Sequence, residues 1–201
     1  MTLRRASAAD AETLADLNTH LQAWHAARYP DTFLAAPDRM GLVEWFADRL
    51  SDPACTGFLS GDPPVGYVLC SLQIRDANVF SPPVRRLMVD HISVAPETRR
   101  QGHGRRLLEA ARGLARDLGV DEILLDTWVD NTEAQAFFRA GVRRAGREHL
   151  RPEAHAVSRT PVNFGAGLAN TGCEPYFRGN RRRTSCLRVW AVSVALATWP
   201  R

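Results

Sequence analysis

Apolar residues recur along the first 140 positions at two spacings, and the change from one to the other marks out the elements. After Asp10, residues Leu14, Leu17, Leu21 and Trp24 follow at three- and four-residue steps, which predicts a helix over "AETLADLNTHLQAWHA". Leu42, Trp45, Phe46 and Leu50 do the same within residues 37–50. "CTGFLS" and "PVGYVLCSLQI" are short apolar runs separated by the turn signal "GDPP", and they predict two strands of a hairpin. "LRRAS" at 3–7 predicts a short edge strand, and residues 85–95 a longer strand ended by Pro96.

The second half returns to helical spacing. Leu107, Leu108, Ala111, Leu114, Ala115 and Leu118 form one broad apolar face, and Gly119 is a stop signal. "EILLDTWV" at 122–129 predicts a strand, and "NTEAQAFFRAG" at 131–141 a helix with Asn131 or Thr132 as cap and Gly141 as stop. The order is strand, two helices, a meander of strands, helix, strand, helix. It predicts an α/β sandwich around a mixed sheet and argues against a purely parallel, doubly wound one.

Composition narrows the picture. The chain has 201 residues, 45% of them hydrophobic, enough for one packed domain with or without a tail. No run of about 20 apolar residues predicts a membrane span, and "MTLRRASAADAETL" lacks the apolar stretch of a secretory signal. The four cysteines form no CxxC pair and the six histidines do not fall at metal-ligand spacing, so reduced thiols in a cytoplasmic protein without a metal are the expectation. Every basic residue is arginine, which reads as a coding bias.

Charge is unevenly spread. Residues 1–150 hold 18 Arg and 20 acidic residues, a net of −2, whereas residues 151–201 hold 8 Arg and 2 acidic residues, a net of +6. Beyond 150 the periodicity fades into an Arg-, Gly- and Pro-rich tail. A low-order tail, with the composition of a GC-rich gene read in a wrong frame, is the expectation there. Its "RGNRRR" also reads as a patch for nucleic acid or another anionic surface, the least favoured of the functional readings.

The chemistry-bearing stretch is "APETRRQGHGRRLLEAARGLA" at 95–115. A helix start leaves backbone N–H groups without partners and carries about half a positive charge. Gly102 and Gly104 would let the backbone approach a ligand and take up positive φ. Arg99, Arg100 and Arg105 add formal charge, and together these features describe a pyrophosphate cradle. A dinucleotide fingerprint is excluded because the third glycine position holds Leu107, and a Walker A loop because the chain has no lysine. A plain glycine turn with solvated arginines fits the spacing equally well.

The flanking residues separate these readings. "HISVAPETRRQGHGRRLLEAA" resembles the acetyl-CoA loop of the GNAT superfamily of N-acetyltransferases, with Val94, Pro96, Arg99, Gly102 and Gly104 at the matching positions. "DEILLDTWVDNTEAQAFFRAG" is similar to that family's next strand and its Asn-x-x-Ala-x-x-Phe-Tyr helix. The resemblance covers about residues 3–150. It implies a mixed, mostly antiparallel sheet flanked by helices and splayed at an acetyl-CoA cleft. It also implies transfer of an acetyl group from acetyl-CoA to a primary amine of a small molecule or peptide, and it is compatible with a homodimer.

Carried over residue by residue, the resemblance implies that the backbone of Arg100, Gln101, Gly102, His103, Gly104 and Arg105, with Arg99, holds the pyrophosphate. It implies that Ile92, Ser93 and Val94 bond the pantetheine arm through their backbones. Asn131 matches a residue near the thiol end and is also a plain helix cap. Asp90 and His91 are the candidate bases, Asp90 by type and His91 by its near-neutral pKa. Alternation puts them on opposite faces of the strand unless a bulge re-aims one. Phe138 stands where the family carries a tyrosine that protonates the leaving thiolate, and phenylalanine has no proton to give. A non-catalytic acyl-CoA-binding remnant is therefore the alternative. The acceptor amine is expected to be selected by residues 20–50 and the 75–84 loop.

Overall fold

The first residues of the chain pair into the sheet as the pattern predicts. Leu3–Arg5 forms β1, and a short 3-10 turn then leads into α1, Ala11–Arg28. Asp10 closes this entry from two directions, accepting from the Ser7 N–H at 2.9 Å and from Arg4 at 2.6 Å. The second helix, α2, Arg39–Ser51, starts at Asp38, whose carboxylate accepts from the Gly41 N–H at 2.7 Å. The computed structural model describes residues 2–142 and 147–153, and these fall in one compact unit. The sequence-based boundary at 150 falls inside a described strand, 147–153, and the rest of the Arg-rich tail, from 154 on, lies outside the described residues.

Three further strands follow: β2, Cys55–Gly61; β3, Pro64–Arg75; and β4, Val84–Val94. Then come α3, His103–Asp117; β5, Glu122–Trp128; α4, Thr132–Val142; and β6, Arg147–Glu153. The six strands lie in the order of the chain, β1-β2-β3-β4-β5-β6. The first three pairings are antiparallel, and β4–β5 and β5–β6 are parallel. This is the mixed α/β sheet that the meander followed by a strand–helix–strand crossover predicts.

Each face of the sheet has its own core. Val68, Cys70, Leu87, Val89, Ile92 and Val94 pack against Leu107, Leu108 and Ala111 of α3 and Ala134 and Phe138 of α4. Leu59, Tyr67 and Leu69 pack against Leu14 and Ala15 of α1 and Phe46 of α2. The inward stripe of α1 differs in composition from its sequence reading. The buried positions Leu14, Asn18, Leu21 and His25 follow helical spacing, so two polar residues sit among the leucines and face the sheet.

Candidate functional site

Two irregularities in β4 position the site. The first is where its pairing with β5 stops. The ladder runs through Leu87↔Ile123, Met88↔Leu124 and Val89↔Leu125 and goes no further. Beyond it Asp90–Val94 and Asp126–Trp128 continue without a ladder between them, although Val68↔Ile92, Tyr67↔Ser93 and Gly66↔Val94 keep β4 paired to β3. Among the described residues, no strand pairs with this edge of β4 over its last five residues. In an antiparallel strand, alternate residues turn their N–H and C=O away from the paired neighbour, so this edge presents backbone polar groups outside the ladder.

The second irregularity is a bulge at the same point. Leu69 pairs with His91 and Cys70 with Val89, which leaves Asp90 as the extra residue. Leu87 and Val89 face α3, and so do Ile92 and Val94. Two residues, not one, lie between Val89 and Ile92, and both turn to the opposite face. Asp90 accepts from Ser71 Oγ at 3.0 Å and from Arg49 of α2 at 3.4 Å. His91 stacks on Trp45 of α2 at 5.5 Å and meets the Tyr67 hydroxyl through Nδ1 at 3.3 Å. The bulge therefore brings the two candidate bases to the same side.

Their surroundings shift them in opposite senses. Burial pushes the Asp90 carboxyl up to about 6, because an ion is poorly solvated there, while Ser71 and Arg49 oppose the rise. Burial holds His91 down to about 4, with the Arg49 charge acting in the same direction. At neutral pH the pair is therefore a carboxylate beside a neutral imidazole.

The helix start lies next to the open end of β4. Pro96–Thr98 forms a short 3-10 turn, Arg99 Nε donates to the Val94 carbonyl at 3.2 Å, and Gly102 is the N-cap of α3. Gly102 has φ +91°, nothing lies within 4 Å of where its Cβ would be, and no side chain caps the helix there. Arg100, Gln101 and Arg105 are exposed around it. The expectation for Gly104 is corrected. It does not take positive φ, which here belongs to Arg100 (φ 60°) and Gly102. Gly104 lies inside the helix, where an added Cβ would meet the Phe137 ring at 3.3 Å. It is needed for the close approach of α3 to α4.

The other assigned positions fall into two groups. Ile92 and Val94 bury their side chains in the α3-side core, so only their backbones face the open edge, whereas Ser93 between them turns its backbone to Tyr67 of β3 and its Oγ donates to the Leu17 carbonyl at 3.1 Å. His103 turns inward, its Nδ1 2.9 Å from Ser60 Oγ, and it too offers the loop only its backbone. Asn131 is buried and caps α4, accepting from the Ala134 N–H at 3.1 Å. Phe138 is completely buried in the core between α3 and α4. On the 76–83 loop, an Asn78↔Ser81 bridge closes a turn that leaves Val79 and Phe80 fully in solvent.

Four residues at this site do not figure in the sequence reading. Asn18 accepts from the Tyr67 hydroxyl at 2.8 Å, and Arg49 and Ser71 hold Asp90. The signal for Asn18 was present in the sequence, as a polar residue one helical turn from Leu14 and Leu21 on an otherwise apolar stripe. Arg49 and Ser71 carry no such mark. Among the described residues no group of three or more His, Cys, Asp or Glu is arranged to hold a metal ion, and no helix is long and apolar enough to cross a membrane.

A mixed sheet that parts between two parallel strands, with a glycine-capped helix start beside the opening, defines the class: an α/β fold of the acyltransferase kind. Residues 18–142, more than half of the chain, match the acetyltransferase (GNAT) family, and the chain belongs to that family. It is 32% identical over 81 residues to human N-acetyltransferase 8, a match that spans 40% of this chain and 36% of that protein. Among solved structures, the tetramutant of the BH1408 protein from Bacillus halodurans is similar, with a TM-score of 0.65 at 20% identity, covering 76% of this chain and 99% of that one. Aminoglycoside N-acetyltransferase AAC(6')-Iy in complex with CoA gives a TM-score of 0.53 at 21% identity, covering 69% and 84%.

Proposed function

We propose that the chain transfers an acetyl group from acetyl-CoA to a primary amine, with direct attack of the amine on the thioester. The observation that carries this reading is the bulge, which sets Asp90 and His91 side by side where β4 leaves β5. Acetyl-CoA fits the remaining features. The open space over Gly102, the N–H groups of the first turn of α3 and the exposed arginines suit a pyrophosphate. The open edge of Ile92–Val94 suits an amide-bearing arm. The similar aminoglycoside acetyltransferase binds CoA, which supports the same ligand here.

When bound, acetyl-CoA supplies an electrophilic thioester carbonyl and a thiolate leaving group. The chain's own residues do the rest. An alkylamine is mostly protonated at neutral pH, and Asp90, ionised above about pH 6, takes its proton. Arg49 and Ser71 fix the carboxylate for that step. Neutral His91 lies next to it as a second acceptor. A backbone N–H on the open edge of β4 serves as the donor to the oxyanion. Phe138 offers no proton, and a thiolate with pKa near 8.5 departs without one.

Thiol release from acetyl-CoA across a panel of primary amines, with mass spectrometry of the products, tests the reading. Asp90→Asn is expected to lower the rate by about 10²–10⁴-fold with acetyl-CoA affinity kept. If His91 is the base, that loss moves to His91→Gln. Acetyl-CoA binding without transfer to any amine in the panel would favour a non-catalytic acyl-CoA-binding protein.

A further inference from the structure

We propose that Tyr67 and Asn18 are positioning residues that hold His91 as the Nδ1–H tautomer and so present its Nε2 lone pair to the incoming amine. The inference rests on the reading of the Asp90–His91 site above, and it adds the residues that prepare one half of that site.

The argument is a count of hydrogens. Tyr67 is completely buried, and its hydroxyl lies between two partners: Asn18 Oδ1 at 2.8 Å and His91 Nδ1 at 3.3 Å. A phenol has one hydrogen to donate. Burial pushes its pKa well above the usual phenol range, so that hydrogen stays. It goes to Asn18 Oδ1, an oxygen that can only accept. Toward His91 the phenol oxygen is then the acceptor, and Nδ1 must carry the hydrogen. A neutral imidazole has one N–H, which leaves the lone pair on Nε2.

The packing keeps this arrangement in place. The His91 ring lies nearly parallel to Trp45, at 5.5 Å and 23°. Phe46 at 6.0 Å and Tyr67 at 6.3 Å close on its other sides, edge to face. Asn18 comes from α1, Tyr67 from β3 and the stacking ring from α2, so three elements fix one tautomer. An amine brings only N–H groups. Once Asp90 has taken one proton from the ammonium, the His91 lone pair can accept an N–H of the neutral amine while the nitrogen turns its own lone pair to the carbonyl. That geometry favours primary amines over tertiary ones, which have no N–H to spare once deprotonated.

The test is a long-range ¹H–¹⁵N correlation spectrum of the ¹⁵N-labelled full chain near pH 7. His91 is expected as the Nδ1–H form, the minority tautomer of free histidine. Asn18→Leu frees the Tyr67 hydrogen to donate to Nδ1, and Tyr67→Phe removes the acceptor; both are expected to move His91 to the Nε2–H form. An Nε2–H signal in the wild type overturns the proposal, whether or not either variant folds. With the panel amine that the wild type uses fastest, Asn18→Leu is expected to raise the amine KM about tenfold and to leave the acetyl-CoA KM within about twofold. An unchanged amine KM in a variant with the inverted tautomer overturns the positioning role. The spectrum reads the tautomer without turnover, so its failure is distinct from a failure of the acetyltransferase reading, which thiol release decides.

Discussion

Asp90 is a carboxylate that its neighbours keep usable. Burial lifts its pKa to about 6, and Arg49 with Ser71 prevents a larger rise. A raised carboxyl is protonated below its pKa and acts as a base only above it, so kcat/KM for the amine is expected to climb through about pH 6. Arg49→Met removes the nearby positive charge and one hydrogen bond, and this limb should then move to higher pH. A pH–rate profile of the two proteins checks it; coincident limbs would remove Arg49 from the site. The change also leaves the Asp90 carboxylate without its counter-ion, so stability is expected to fall at pH 7 and less at pH 5, where Asp90 is protonated in the folded chain.

At the level of elements, α3 shows how two glycines two residues apart do different work. Gly102 caps the helix at positive φ with open space around it, and Gly104 lies under the Phe137 ring. Gly102→Ala is expected to lower stability by about 1 kcal/mol through backbone strain. It should weaken acetyl-CoA binding more than it affects folding. Gly104→Val is expected to lower stability by about 1–3 kcal/mol, because Phe137 or the helix must shift. Thermal unfolding together with calorimetric titration of acetyl-CoA separates the two. Equal effects of both variants on binding and on stability would contradict the division. The strand–helix boundaries around this loop were legible beforehand, since Pro96, the glycines and the six-residue apolar face of α3 are local signals. The division of labour was not, because Phe137 reaches Gly104 from a helix about thirty residues away.

For the whole molecule, the buried imidazoles set the response to acid. His25 is held down to about 3, chiefly by burial with His91 adding to it, and His91 to about 4. A histidine with a depressed native pKa stays neutral in the folded chain but takes a proton in the unfolded one below about 6.5. Stability is therefore expected to fall as pH drops from about 6.5 toward 3. Asp90 works against this between about 6 and 4, because there the folded state holds the extra proton. Two histidines outweigh one carboxyl, and Asp10, held low by Arg4, joins the loss below about pH 4. Urea melts at pH 7 and pH 5 should show the drop, and His25→Phe should reduce it. The His25 Nε2 has no hydrogen-bond partner among the described residues, so the phenyl ring has no hydrogen bond to replace there, and the contacts with Phe33 and Trp128 suit it.

Apolar spacing, caps and turn residues act over a few positions, and so the element order, the mixed sheet and the glycine-capped helix start can be read along the chain. Asn131 before α4 and Gly119 after α3 stand where their local chemistry places them. The side to which Asp90 and His91 point cannot be read that way. Strict alternation separates them, and only the pairing of β4 with β3, Leu69 with His91 and Cys70 with Val89, reveals the extra residue that joins them. The same holds for Asn18, Tyr67 and His91, which lie far apart in the chain and meet only because α1 packs on the face of the sheet that the bulge turns toward it. Local preference selects each element. Register between strands and the packing of helices on them are interactions between distant segments, and they decide which polar groups share a face.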